Sequence, residues 1–497
     1  MRRVLFIALV GCVSMLNAQT LQKTALTIEK FKGAAGMRVN PADIRGFGSD
    51  ESNYYVYYGI TGLWGGFDAS FFVIDKNLTS AKEFSLSKDK DDRFLWVQTT
   101  EDDMVILLAR DKKGEEKTQI IKQAYAKTTG KLKKETVIAN FPKSKSDNWY
   151  FYSSTSPDKT KKCFLFLLAN KKNSVDSYYA AVLNQDCEME WNTTQGLEVS
   201  NESFSVGDIA VNNKGDVYVA FLSGPKDEKK PSDPNSYIDL IYLTDGSKDK
   251  MSFGIDKKHI RKQIQLKALK NNDIYLAGLL SEESVIKKEF LSIKINGNNF
   301  NVLGEHRERL EGKGNIKDQT VSDMVIVTIF ELNNGDVAVL GEQRRTNITD
   351  QGIIKMCWGV TTFFVKGDDA SIEHVSARDK SQLVKTSINY SSYQLFHLSI
   401  FPFVYENKIG YLFNDCLKRY ANPSKYKREH FKSANGDDVS IVLSTQESGE
   451  KAEIVPLTGN KLPAKRLIRQ ILFQEDDQLI VLTRNRKEAY IETLNLK

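Results

Sequence analysis

The chain has 497 residues, of which 41% are hydrophobic and 10% aromatic, and only 10 are prolines. This composition is that of a folded protein and argues against intrinsic disorder. Lysine and arginine number 70 against 64 aspartates and glutamates, which gives a formal net charge of +6. So small an excess excludes the one-sided basic surface of a nucleic-acid-binding protein, and we expect no nucleic-acid partner.

The first residues have the pattern of an export signal. Arg2 and Arg3 precede the apolar stretch Val4–Leu16, and Asn17-Ala18-Gln19 offers a cleavage site. Because this stretch is too short to cross a bilayer, the sequence predicts a signal peptide over residues 1–18. The mature protein is then expected in the periplasm, at the cell surface or secreted.

A lipid anchor is the alternative to soluble export. Leu9–Cys12 has the pattern of a lipobox, which would place a diacylglyceryl group on Cys12 and hold the protein at a membrane. The apolar run continues beyond Cys12 as far as Leu16, which favours the soluble form. No later stretch approaches the ~18 apolar residues of a transmembrane helix, so none is expected.

A unit of short apolar strands separated by polar turns recurs eight times after the signal. The most regular strand of each unit begins near one of eight positions, roughly 50 to 70 residues apart. These positions are Tyr54, Met104, Cys163, Asp216, Asp273, Asp336, Lys408 and Gln478. A strand unit repeated in this way predicts an all-β fold, a β-propeller of four-stranded blades over residues 19–497 as one domain. Eight blades are expected, and seven is the alternative.

The strands and turns within a unit support this architecture. Cys163–Ala169 is a continuous apolar run, as expected of a strand buried on both faces between neighbouring sheets. It is the second strand, B, of four strands A to D that we count outward from the axis. Asn212–Gly215 is a tight turn whose Asn and Gly residues supply the positive φ angles that hairpins require.

The two ends of the chain are expected to meet. The last unit supplies only three strands, ending with Tyr490–Leu494. Thr24–Lys30 is a lone strand near the mature N-terminus, with no partner beside it in the sequence. If it completes the last blade, the ring is closed and an exposed sheet edge is removed.

Four cysteines are candidates for disulfide bonds, which export permits. Cys163 begins strand B of the third unit and Cys187 follows its strand C, and these strand ends lie side by side in an antiparallel pair. Cys357 and Cys416 are both expected on the loop-rich face of adjacent units. We therefore expect the bridges Cys163–Cys187 and Cys357–Cys416, and the alternative is four reduced, buried thiols.

The connections between strands B and C lengthen in the fourth, sixth and seventh units. They emerge on the same face as the connections between blades, and one-sided loop growth on a constant scaffold is how repeat proteins make binding surfaces. The long loops carry basic residues interleaved with tyrosine, which can hold anionic or sugar ligands by charge and stacking, although an ordinary solvated surface has the same composition. The candidate ligand-binding residues are Arg344, Arg345, Lys418, Arg419, Tyr420, Tyr426 and Arg428.

No motif in the sequence carries identifiable catalytic or metal chemistry. The five histidines are dispersed, without a His-x-His or His-Glu-x-x-His pair, and there is no Gly-x-Ser-x-Gly elbow. We expect no metal, no cofactor and no catalytic residue. Two carboxylates at the spacing of a glycosidase can always be found among 64 acidic residues, so a hydrolase stays open as an alternative.

Parts of the chain resemble known families. Ala124–Lys131 and Val182–Trp191 resemble the turn of quinoprotein-type propeller repeats, but only Trp191 matches the tryptophan that docks between blades, so quinone chemistry does not carry over. The export signal and three further segments resemble uncharacterised exported propeller-repeat proteins of Bacteroidota-type bacteria, which implies location and fold but no activity. These segments are Lys380–Gln382, Ser391–Tyr393 and Asn414–Asp415.

Together these patterns predict a non-enzymatic binding or scaffold module, whose partner is an envelope protein or glycan held by the loop-rich face. The alternative is a glycan-active hydrolase with carboxylates at the axial funnel. Acids and aromatics converging in the funnel would favour the hydrolase, whereas a funnel filled by apolar side chains would favour the scaffold.

Overall fold

A computed structural model shows the protein as an assembly of β-strands. The described residues are 26–27, 43–61, 67–86, 92–111, 114–145, 150–170, 174–200, 203–225, 235–255, 263–281, 288–310, 324–349, 352–386, 399–416, 439–450, 453–457, 467–484 and 489–496. The predicted signal peptide and Cys12 lie outside these ranges. Within them, no helix has the length and apolar character needed to cross a membrane.

The described ranges contain 32 strands, which form eight four-stranded antiparallel sheets. In chain order they are β1 (Leu26–Thr27), β2 (Asp43–Ser49), β3 (Asn53–Thr61), β4 (Phe67–Asp75), β5 (Ala81–Ser85), β6 (Asp92–Thr99), β7 (Asp103–Asp111), β8 (Lys117–Ala126), β9 (Leu132–Pro142), β10 (Tyr150–Thr155), β11 (Lys162–Ala169), β12 (Val175–Leu183), β13 (Met189–Gly196), β14 (Ser203–Val211), β15 (Val217–Gly224), β16 (Ser236–Thr244), β17 (Ser247–Ile255), β18 (Ile264–Ala268), β19 (Ile274–Ser281), β20 (Lys288–Ile295), β21 (Val302–Arg309), β22 (Met324–Glu331), β23 (Val337–Thr349), β24 (Gly352–Val365), β25 (Ile372–Thr386), β26 (Ile400–Tyr405), β27 (Lys408–Cys416), β28 (Val439–Gln446), β29 (Glu453–Pro456), β30 (Leu467–Glu475), β31 (Gln478–Arg484) and β32 (Ala489–Asn495).

The eight sheets are the blades of a β-propeller. Blades 1 to 7 take consecutive groups of four strands, from β2–β5 to β26–β29, and blade 8 has the order β30, β31, β32, β1. The first strand of each order is strand A, which lies next to the axis and beside the A strands of neighbouring blades. Each of the eight start positions predicted from the sequence lies within one residue of the first residue of a strand B. The predicted eight-bladed fold is therefore confirmed.

The hydrophobic core is divided into eight clusters, one between each pair of neighbouring blades. Strand B contributes side chains to two of these clusters, because alternate side chains point to opposite faces of a sheet. In β11 every residue is buried, and Cys163 and Phe164 belong to the clusters on either side of blade 3. This two-sided burial is the reason that B strands read as continuous apolar runs.

The turns between strands A and B adopt the backbone conformation that the sequence predicts. Gly215, Asn272 and Gly335 occupy equivalent turns in blades 4, 5 and 6, with φ angles of +91°, +74° and +86°. Glycine and asparagine tolerate this left-handed region better than other residues. The similar amino-acid sequences of these three turns therefore have a conformational cause.

These A–B turns are joined into a hydrogen-bonded belt, which we call the turn belt, at one face of the ring. The Asp158 N–H in blade 3 donates to Asn213 Oδ1 in blade 4 at 3.1 Å, and the Asn213 N–H donates to Asn272 Oδ1 in blade 5 at 3.0 Å. Likewise, the Asn333 N–H in blade 6 donates to Asn407 Oδ1 in blade 7 at 3.0 Å. The belt fixes neighbouring turns relative to one another.

The N-terminal strand closes the ring as predicted. Strand β1 pairs antiparallel with β32, with Leu26 opposite Ile491 and Thr27 opposite Tyr490. Blade 8 therefore takes three strands from the end of the chain and its outermost strand from the beginning. The pairing covers the edge of β32, which would otherwise be open to another chain.

Removing residues 1–30 is expected to lower the free energy of unfolding by about 1 to 3 kcal/mol, because the two described residue pairs of the β1–β32 ladder are lost. It should also promote association through the uncovered edge of β32. Denaturant unfolding and light scattering would measure both effects. Removing residues 1–18 alone is the matched control, and equal behaviour of the two truncations would contradict the role of β1.

One predicted loop is a strand. The sequence places Gln343–Asn347 in the long B–C loop of the sixth unit, but the residues lie in β23 and pair with β24, with Arg345 opposite Met356. The β-branched residues that follow, such as Ile348 and Thr349, favour an extended chain. The hairpin formed by β23 and β24 therefore continues well beyond Met324, the first residue of strand A in blade 6.

All four cysteines in the described ranges are buried and reduced. The expected bridge between Cys163 and Cys187 is not formed, because the two side chains leave the sheet of blade 3 on opposite faces. Cys163 packs towards blade 4 and Cys187 towards blade 2. The expected bridge between Cys357 and Cys416 is not formed either. Burial raises the pKa of Cys163 to about 12 and that of Cys187 to about 11, which keeps both thiols protonated.

Candidate functional site

A cavity of about 770 Å³ lies on the propeller axis, at the end where the A–B turns are. Its walls come from blades 8, 1, 2, 3 and 5, mainly from the last residues of their inner strands. The volume falls in the range of small-molecule sites, about 300 to 1,000 Å³. The B–C loops, where the sequence predicted a binding surface, emerge at the opposite end of the blades.

Lys162 is the most unusual residue of this cavity. It is the first residue of β11, directly after the A–B turn of blade 3, and its side chain turns inward so that the residue is only 7% exposed. Its Nζ lies 4.8 Å from the ring centroid of Trp96 in blade 2. Among the described residues, no hydrogen-bond acceptor or carboxylate partners this ammonium. A cation–π contact offsets only part of the cost of burying a charge.

Burial therefore lowers the pKa of Lys162 to about 8, partly opposed by the Cys187 thiol. A buried ammonium without a carboxylate is costly, and strongly shifted pKa values of this kind cluster at functional sites. The group is still mostly protonated at neutral pH. It presents one poorly compensated positive charge to the cavity.

Lys267 presents a second such charge from another blade. It lies in β18, the inner strand of blade 5, is half-buried and lines the same cavity. Burial lowers its pKa, and Glu331 opposes this shift without pairing with it. No partner that neutralises its charge by direct contact lies in the described ranges.

The carboxylate that lines the cavity is held on the blade 8 side. Glu475 accepts a hydrogen bond from Tyr54 Oη at 2.8 Å and forms an ion pair with Lys76. Burial opposes ionisation, but the contacts with Lys76, Tyr54 and Ser49 outweigh it, so the pKa of Glu475 is lowered. Its charge is thus compensated within its own contacts. Arg45 of blade 1 and Lys159 of blade 3 also line the cavity, so the described lining is cationic.

A second carboxylate, that of the half-buried Asp208, lies near the axis, between blades 4 and 5. Asp208 in β14 accepts the backbone N–H groups of Ile209 and Leu266, each at 2.9 Å. Burial raises its pKa to about 6, although these two hydrogen bonds act against the rise. By accepting the hydrogen bond from Leu266, Asp208 ties the inner strand of blade 4 to that of blade 5.

Replacing Asp208 with asparagine should remove one pH dependence of stability. The folded pKa, about 6, lies above the ordinary value of 3.8, so the native protein loses stability as pH rises from about 4 to 6. Because one pKa unit is worth about 1.4 kcal/mol, this loss amounts to up to about 3 kcal/mol, and Asp208→Asn should not show it. Denaturant unfolding at pH 4 and pH 7.5 measures the difference.

The control is Asp102→Asn, a change at an exposed turn. If Asp208→Asn and the native protein differ by the same amount at both pH values, Asp208 does not titrate as described.

The sequence-predicted binding residues divide into two groups. Arg344 and Arg345 are neighbours in β23 on the loop-rich face, where Arg345 is exposed and Arg344 is part of an internal network. The others lie outside the described residues, and their role stays a prediction. These are Lys418, Arg419, Tyr420, Tyr426 and Arg428.

The network around Arg344 is centred on Glu342, which is fully buried in β23. Its carboxylate contacts the ammonium of Lys380 and the guanidinium of Arg344, and accepts a hydrogen bond from Ser399 Oγ at 2.7 Å. Gln382 extends the network to the Asn414 carbonyl of blade 7 at 2.7 Å. Although burial acts against ionisation, Lys380 and Arg344 lower the pKa of Glu342. The network joins blades 6 and 7.

No group of three or more His, Cys, Asp or Glu side chains that could hold a metal ion occurs in the described part of the chain. The cavity is therefore characterised by its two desolvated lysines, together with hydroxyl groups from Thr99 and Thr155 and the aromatic rings of Trp96 and Phe473. Such a lining can bind a negatively charged ligand by charge and hydrogen bonds.

Comparisons with known proteins assign this chain to no family. No protein-family model and no curated protein matches the sequence. Among solved structures, the polysaccharide lyase Uly1 shares 8% identity at a TM-score of 0.37, over 81% of this chain and 89% of that chain. The β-propeller domain of the Trilobed protease from Pyrococcus furiosus shares 10% identity at a TM-score of 0.34, over 85% of this chain and 96% of that chain.

A DUF4623 family protein from Bacteroides eggerthii shares 10% identity at a TM-score of 0.26, over 92% of this chain and 99% of that chain. All of these TM-scores are below 0.5. The likenesses assign no family, and at these scores they carry no argument about function.

Proposed function

We propose that the protein is an exported, non-enzymatic binding propeller, and that it holds an acidic glycan of the cell envelope in its axial cavity. The observation that carries this proposal is Lys162, whose ammonium is buried in the cavity wall without a carboxylate among the described residues. An anion entering the cavity would supply the missing charge, and a charge-assisted hydrogen bond of this kind is among the stronger polar contacts.

A glycan is favoured over a small inorganic anion by the rest of the lining. Thr99 and Thr155 can form hydrogen bonds with sugar hydroxyl groups, and Phe473 adds an aromatic ring to the lining. The cavity is also larger than a lone phosphate requires. The loop-rich face around Arg345 is then a second surface, at which an envelope protein could be held.

A glycan hydrolase is the alternative, and it needs two carboxylates on either side of the scissile bond. Among the described lining residues, Glu475 alone carries a carboxylate, and it already accepts hydrogen bonds from Tyr54 and Lys76. The lining therefore supports binding better than hydrolysis.

The test is a direct measurement of binding. Calorimetric titration of the purified protein with oligogalacturonides should show binding that weakens as salt rises, because salt screens the charges. Neutral galacto-oligosaccharides of the same length should bind at least tenfold more weakly. Equal binding of the charged and neutral series, or binding of neither, would overturn the proposal. Release of reducing ends during the titration would favour the hydrolase instead.

A further inference from the structure

The two desolvated lysines of the cavity come from blades that are not neighbours. Lys162 belongs to blade 3 and Lys267 to blade 5, and blade 4 lies between them. In a ring of eight, two steps are a quarter of a turn. Face-packed sheets are about 10 Å apart, so the strands that carry these two residues are separated by more than one layer. One small anion is therefore poorly placed to contact both.

Nothing in the described residues neutralises either lysine by direct contact. The pKa of each is lowered chiefly by burial, and the remaining influences are the Cys187 thiol for Lys162 and Glu331 for Lys267. Glu475 lies on the blade 8 side and is engaged with Lys76. The positive charge on this side of the axis is thus uncompensated at two separate points of one wall.

We infer that the ligand carries at least two separated negative charges and bridges Lys162 and Lys267, which lie a quarter of a turn apart around the axis. This inference rests on the proposed function and narrows it to a class of ligand, an acidic oligosaccharide with carboxylates on more than one ring. A single acidic sugar would satisfy one lysine and leave the other desolvated, whereas an oligouronide would satisfy both.

Galacturonic acid, with one carboxylate, and trigalacturonic acid, with three, are the probes. In the native protein the trimer should bind at least tenfold more tightly than the monomer. Lys162→Met and Lys267→Met should each weaken the trimer about tenfold or more, whereas the monomer should respond to only one of them. Both changes remove a desolvated charge, so both variants should fold.

Lys134→Met is the control, because Lys134 is exposed on β9, far from the cavity lining. A trimer that binds no better than the monomer overturns the bridging inference while leaving anion binding intact. A trimer affinity that Lys267→Met does not change has the same consequence. If neither probe binds the native protein, both the inference and the proposed function fail.

Discussion

Replacing Lys380 with methionine is expected to lower the free energy of unfolding by about 3 to 5 kcal/mol, the largest change that we predict for a single residue. Lys380 is 2% exposed and its ammonium contacts the fully buried carboxylate of Glu342. Without it, Glu342 keeps Arg344 and Ser399 but remains ionised in an apolar interior, so the result should fall nearer the lower bound.

Denaturant unfolding of matched variants tests this expectation. Lys133→Met removes the exposed partner of Asp103 and should leave stability almost unchanged. The double variant Glu342→Leu with Lys380→Met removes the two fully buried charges and should recover part of the loss, although Arg344 then loses its carboxylate. A loss at Lys380 no larger than that at Lys133 would contradict the description of this network.

Replacing Lys162 with methionine is expected to have effects of opposite sign on stability and binding. Burial lowers the pKa of Lys162 from 10.5 to about 8, and at about 1.4 kcal/mol per pKa unit the charge costs up to about 3 kcal/mol at pH 7. The variant should therefore be more stable below pH 8. The gain should fade as pH rises towards 10.5, where the lysine is neutral in the unfolded chain as well.

Binding of an acidic glycan should weaken about 10- to 100-fold in the same variant, since a hydrogen bond to a charged group is worth about 1.5 to 3 kcal/mol. The conservative variant Lys162→Arg keeps the charge at high pH, so its affinity should not fall as pH passes through 8. Denaturant unfolding and calorimetric titration measure the two effects. A variant that is both less stable and unchanged in affinity would show that Lys162 has a structural role instead.

The fold could be predicted because its strongest signals are local. Cys163–Ala169 is apolar throughout because both of its faces are buried, and Gly215 marks a turn that only a few residue types can make. The last unit has three predicted strands where the other units have four, and Thr24–Lys30 was the one predicted strand without a partner that could supply the fourth. Each of these inferences needed only a short stretch of chain and a rule of geometry.

The cavity could not be predicted, because its lysines look ordinary in the sequence. Lys161 and Lys162 are consecutive, yet Lys161 turns outward to pair with Glu190 and Lys162 turns inward beneath Trp96. Which of the two is buried depends on blade 2, more than 60 residues away in the chain. The cysteine error has a similar origin, because the sequence indicated that Cys163 and Cys187 are close but not that their side chains lie on opposite faces of blade 3.

The pairing of β1 with β32 also imposes an order on folding. Leu26 and Ile491 are 491 − 26 = 465 residues apart, so the closing strand is synthesised long before its partner. Blades 1 to 7 are made of sequence-local hairpins and can assemble while the chain grows, but blade 8 cannot be completed until they have brought its two parts together. An open ring, in which β32 still lacks β1, therefore precedes the closed ring and is the species that a chaperone or a protease would meet.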